Sequence, residues 1–139
     1  MHTPTSGIGR FCESKFFQDL NKNFTTVRPF YGRTGPNTVY NWHVDLLGFD
    51  AGINILLSDP AMCYTLWRVP GNEHSVISDV VTCHYEPFRP VVFNSTIEHC
   101  VINLSKDYRY LLRIPVLNAS YSDLRDWCMS YPANENMYN

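Results

Sequence analysis

The sequence predicts a mainly β fold, a sandwich, barrel or jelly roll with short helices at its two ends, and three observations carry that expectation. Between Thr25 and Leu117 the chain is a succession of short runs rich in Val, Ile, Tyr, Thr and Trp, residues that fit a pleated, half-buried surface. Seven or eight such runs are separated by turn-forming stretches of a few residues, among them "RTGPN", "SDPAM", "PGNE", "EPFRP" and "SKD", the texture of all-β sandwiches and barrels. The nine prolines fall largely in these connections, where a missing backbone N–H costs least.

In chain order, "FCESKFFQDLNKNF" predicts a short helix whose Phe11, Phe16, Phe17 and Leu20 face inward as a packing element beside a larger core. The strand runs follow as "TTVRPFYGR", "TVYNWHV", "INILLS", "CYTLWRV", "SVISDVVTCHY", "PVVFNST", "HCVINLS" and "YRYLLRIPVL". After Leu117 the chain turns polar, and Ser120 or Ser122 is placed to cap a last short helix, "YSDLRDWCM". The tail "PANENMYN" is expected to be frayed or loosely docked. The 139 residues form one expected domain, 1–139, with a β core at about 24–117 and a C-terminal helix and tail at about 120–139.

Composition narrows the function classes. Apolar residues are 45% of the chain and charged residues 17%, a balance that supplies a substantial core and argues against disorder. A net charge of −2, with eleven scattered Lys and Arg, leaves no basic patch for phosphates, so no nucleic acid is expected as a partner. No apolar run approaches membrane-spanning length and "MHTPTSGIGR" has neither a basic start nor a hydrophobic segment, so no membrane partner is expected and the location reads as cytoplasmic. Five unpaired-spacing cysteines suit a reducing compartment.

The chemistry begins at "YNWHVD", residues 40–45. In a strand, His43 and Asp45 share one face and Val44 the other. Alone, this pair also fits a strand end with two solvated residues. Support comes from residues 91–116, where His99 follows a strand run and Arg109 stands ten positions beyond it. Two histidines and one carboxylate that leave half of a coordination sphere open suit Fe(II) with a bidentate co-substrate and dioxygen. An arginine on a neighbouring strand can grip the far carboxylate of a dicarboxylate. His74 in "GNEHS" and His84 in "TCHYEP" read as surface or structural.

"WHVDLLGFDAGINILLSD" and "VFNSTIEHCVINLSKDYRYLLRIPV" together resemble the 2-oxoglutarate- and Fe(II)-dependent oxygenases, in particular the aspartyl/asparaginyl β-hydroxylase-like branch with its small phage and bacterial members. The resemblance covers residues 40–57 and 91–116. It implies a double-stranded β-helix, a jelly-roll and cupin relative, with Fe(II), 2-oxoglutarate and dioxygen as cofactors. It implies iron ligands His43, Asp45 and His99, and Arg109 as the partner of the C5 carboxylate of 2-oxoglutarate, with Arg113 on the same strand face as its substitute. Asn54 and Trp42 are expected to border the pocket. The implied activity is hydroxylation of a C–H bond, on an amino-acid side chain of a protein or peptide ahead of a small-molecule substrate, with succinate and CO2 as co-products. Two other readings stay open: another metal-dependent cupin-type enzyme, or a non-catalytic jelly-roll binding or structural module such as a phage accessory protein.

Overall fold

The computed structural model describes residues 4–45, 48–69 and 79–132. The β runs form eight strands among them: β1 (Phe30–Thr34), β2 (Thr38–His43), β3 (Ala51–Leu56), β4 (Cys63–Val69), β5 (Asp79–Cys83), β6 (Pro90–Asn94), β7 (His99–Asn103) and β8 (Arg109–Val116). They pair antiparallel in two four-stranded sheets, in the orders β1-β8-β3-β6 and β2-β7-β4-β5. Successive strands thus alternate between facing sheets for most of the chain, as in a jelly roll or double-stranded β-helix. The stretch around His74 and the tail from residue 133 lie outside the described residues.

The N-terminal stretch is two helices, α1 (Pro4–Cys12) and α2 (Lys15–Asn23), where the sequence predicts one. Ser14 makes the break: its hydroxyl accepts the Phe17 backbone N–H and caps α2, satisfying a donor that a continuous helix would bond internally. Phe11, Phe16, Phe17 and Leu20 are all buried, as their spacing predicts. The last helix, α3 (Tyr121–Ser130), is capped by Ser120 in a box that Asp123 completes.

All three helices cover one face of the first sheet. Ala51, Ile53 and Ile55 of β3 and Leu112, Ile114 and Val116 of β8 join Phe16, Leu20 and Leu124 in a single apolar cluster. The intervening residues of β8, Arg109, Leu111 and Arg113, alternate to the other face and line a cavity between the sheets. All six residues of β3 are buried, because helices close one side and the second sheet the other. Gly52 is required by close approach: a Cβ there would lie 3.0 Å from the Ile114 carbonyl oxygen.

Asn103 fixes where β8 starts. Its side-chain amide, fully buried, donates to the carbonyls of Gly35 and Asp107 at 2.8 Å each, while its oxygen accepts the Ser105 N–H. One buried amide therefore ties the β1–β2 turn to the β7–β8 turn and sets the register from which Arg109 enters the interior.

Candidate metal centre

The cavity between the sheets has a volume of about 510 Å³ and takes lining residues from both. His43 reaches it through an irregularity in β2. Tyr40 pairs with Val101 but His43 pairs with His99, so three steps on β2 oppose two on β7, as in a β-bulge. The shift places both histidines opposite each other, with ring centroids 4.3 Å apart.

Both rings are oriented from behind in the same way. His43 Nδ1 lies 2.6 Å from the Asn41 carbonyl oxygen and His99 Nδ1 lies 2.9 Å from that of Ile97. A carbonyl only accepts, so these bonds assign the proton to Nδ1 and leave each neutral ring a lone pair on Nε2. Backbone carbonyls commonly orient metal-binding histidines in this manner. Burial pushes the His99 pKa down, and the nearby Asp45 charge opposes that shift in part. His99 is 2% exposed and has Phe93 edge-on at 4.8 Å.

Asp45 completes the group, but not from the strand. β2 ends at His43, which corrects the expectation that Asp45 shares a strand face with it. The chain leaves the ladder and still brings Asp45 Oδ1 to 3.5 Å from His43 Nε2 and Oδ2 to 3.8 Å from His99 Nε2. One donor atom from each of the three residues lies within 4.8 Å of the others. Donors around one ion at bonds of about 2.1 Å sit about 3 Å apart, so a small closure brings this set to bonding distance. Two imidazole nitrogens and one carboxylate suit Fe(II), Mn(II) or a similar divalent ion with open positions.

Arg109 enters the cavity from the first position of β8 and is 2% exposed. Its Nη2 donates to Thr65 Oγ1 at 2.9 Å, and its guanidinium carbon lies 5.1 Å from the Tyr85 ring centroid. Its Nε is buried without a hydrogen-bond partner, and among the described residues no carboxylate is paired with it. Burial lowers the Arg109 pKa, yet a guanidinium stays charged in proteins. Asn54 also lines the cavity, and its amide donates to the Tyr85 hydroxyl at 3.4 Å. Burial raises the Tyr85 pKa against the pull of Arg109, so this hydroxyl is neutral and can donate.

Two expectations change. Arg113 lines the cavity, but its Nη2 is 2.9 Å from Asp45 Oδ2, so it is engaged with a candidate ligand. Trp42 is not among the lining residues. Neighbours along a strand point to opposite faces; with His43 turned inward, Trp42 turns out and stacks with Arg68 at 4.4 Å. The sequence reading missed Thr65 and Tyr85. Thr65 had a signal, the inward alternation of Cys63, Thr65 and Trp67 in "CYTLWRV"; Tyr85 follows β5 with none. His84 is exposed, as expected.

No protein-family model matches the chain, and no curated protein matches it. Among solved structures it is similar to a cupin domain from Bordetella pertussis, at 17% identity over 66% of this chain and 82% of that one, with a TM-score of 0.47. It is also similar to a cupin 2 conserved barrel domain protein from Salinispora arenicola, at 12% identity over 72% of this chain and 70% of that one, with a TM-score of 0.41. A third is a non-heme monooxygenase, ThoJ, in a nickel complex, at 14% identity over 67% of this chain and 43% of that one, TM-score 0.41. These likenesses concern the fold, which is mainly β, two-sheeted and flanked by short helices. Among the described residues no helix is long and apolar enough to cross a membrane.

Proposed function

We propose that the protein is an Fe(II)- and 2-oxoglutarate-dependent dioxygenase that hydroxylates a C–H bond, with an amino-acid side chain of a protein or peptide as the substrate class the sequence resemblance implies. The observation that carries this reading is one cavity holding both a His43–Asp45–His99 donor group and a buried Arg109 that no carboxylate pairs with among the described residues. A buried charge without a counter-ion is costly, and an anionic ligand removes that cost. A dicarboxylate that chelates a metal at one end and meets a guanidinium at the other fits both features.

The donor set fits a resident Fe(II) through His43 Nε2, His99 Nε2 and an Asp45 oxygen. When bound, the metal with 2-oxoglutarate supplies the oxidation that places one oxygen atom of O2 in the substrate and the other in succinate, with loss of CO2. The chain's own residues do the rest. The Asn41 and Ile97 carbonyls hold the two Nδ1 protons and so keep both Nε2 lone pairs aimed at one point. Arg109, held by Thr65 and stacked on Tyr85, offers a charged donor to the far carboxylate. Phe93 packs against His99 and keeps water from that side of the ring.

The test is succinate formation from 2-oxoglutarate with Fe(II), ascorbate and O2, run with and without a pool of candidate peptides. Substrate-independent turnover is expected to be slow, and His99→Ala is expected to abolish it. Activity that survives His99→Ala, or its absence with every peptide tested while Fe(II) and 2-oxoglutarate both bind, counts against the hydroxylase.

A further inference from the structure

Arg113 faces the same cavity as Arg109 but spends its charge differently. Its Nη2 donates to Asp45 Oδ2 at 2.9 Å, and its guanidinium lies 5.8 Å from the Phe30 ring centroid and 5.6 Å from that of Phe93. Two rings and one carboxylate define its orientation. Asp45 lies beyond the end of β2 at His43, so no ladder pairing fixes its backbone and a side-chain partner helps to place it. Arg113, by contrast, sits within β8, paired with Phe30 of β1 on one side and Asn54 of β3 on the other. The firm central strand of one sheet thus steadies a loop residue that follows the edge strand of the other.

Resting on the reading that His43, Asp45 and His99 hold a divalent metal, we propose that Arg113 is a positioning residue for the metal-binding carboxylate and not the anchor of the dicarboxylate. It holds Oδ2, which also lies 3.8 Å from His99 Nε2, and so turns Oδ1, 3.5 Å from His43 Nε2, toward the metal. Asp45 would then offer the metal one oxygen while the other stays on Arg113. A guanidinium near a dication repels it. The Asp45 carboxylate, 2.9 Å from Arg113 Nη2, carries the charge that offsets this repulsion. Partners that orient metal ligands typically contribute 10- to 100-fold to metal affinity.

The experiment is two titrations of the purified full chain by calorimetry: Mn(II) alone, then N-oxalylglycine at saturating Mn(II). Arg113→Met keeps the side chain's length and removes its donors. It is expected to raise the Mn(II) Kd about 10- to 100-fold and to leave N-oxalylglycine binding at saturating Mn(II) essentially unchanged. Arg113→Lys keeps a donor but not the planar fork and is expected to fall between Arg113→Met and the wild type. If Arg113→Met does not fold, weaker Mn(II) binding by Arg113→Lys supports the role and unchanged Mn(II) binding overturns it. Mn(II) binding by Arg113→Met as tight as wild type or tighter overturns it too, as does selective loss of N-oxalylglycine affinity. A wild type that binds no Mn(II), Fe(II) or Ni(II) is a different result: it overturns the metal reading itself, and the role of Arg113 with it.

Discussion

His43 and His99 each direct Nδ1 at a carbonyl two residues upstream, and that repeated detail leaves both Nε2 atoms free to serve as ligands in the proposed site. It has a consequence for pH. Burial holds the His99 pKa below its ordinary 6.5, so on acidification the unfolded chain takes up a proton there before the folded chain does. Stability attributable to His99 is therefore complete above about 6.5, falls as pH drops below that value and levels off beneath the folded pKa. A thermal-denaturation series from pH 7.5 to 5 on metal-free protein is expected to show a falling Tm that His99→Asn makes shallower. Asp19, held low by Lys15 and Lys22, acts in a separate window below the ordinary carboxylate value of 3.8. The histidines and Arg109 were legible in the sequence through their spacing, His43-x-Asp45 followed by His99 and an arginine ten residues on, which the family resemblance made meaningful. Their orienting partners were not, since every residue carries a carbonyl and only the folded backbone says which one is near.

At the scale of elements, alternation with period 2 is a reliable guide on β3 and β8 and fails at the end of β2. On β8 it separates Arg109, Leu111 and Arg113 from Leu112, Ile114 and Val116, and each set lies on a different face. On β2 the extra residue between Tyr40 and His43 breaks the count, and Asp45 reaches the site from beyond the strand. The pairing of His43 with Asp45 was thus anticipated by a face argument that the backbone does not obey. The break between α1 and α2 was hidden for a related reason: a serine is a weak signal until its cap bond is formed. The tight fit of β3 against β8 is testable at Gly52. Gly52→Ala places a methyl 3.0 Å from the Ile114 carbonyl oxygen, so the paired backbone of β8 has to shift, and overpacking of this kind costs about 1–3 kcal/mol. Gly9 of α1 has open space around its Cβ position, and alanine there favours the helix by about 1 kcal/mol. Urea unfolding midpoints are expected to fall for the first variant and to rise for the second.

For the whole molecule, the two sheets serve different ends. The outer face of one is sealed by three helices into an apolar core, while the space between the sheets collects buried polar groups that no core would choose: Asn54, Thr65, His99 and Arg109. Such local departures from core chemistry in an otherwise consistent fold are where function is expected. That the fold is mainly β was legible from strand texture, and the double-stranded β-helix only through the family resemblance; the cavity was not legible, because Thr65, Tyr85 and Phe93 come from three places in the chain that only the sheet order brings together. The most direct test is a crystal structure grown with Mn(II) and N-oxalylglycine, the metal located by its anomalous scattering. The expected result is one manganese bonded to His43 Nε2, His99 Nε2 and a single Asp45 oxygen, with the ligand's far carboxylate on Arg109 and Arg113 still on Asp45. Manganese elsewhere or absent, or a carboxylate held by Arg113 with Arg109 left alone, would contradict it.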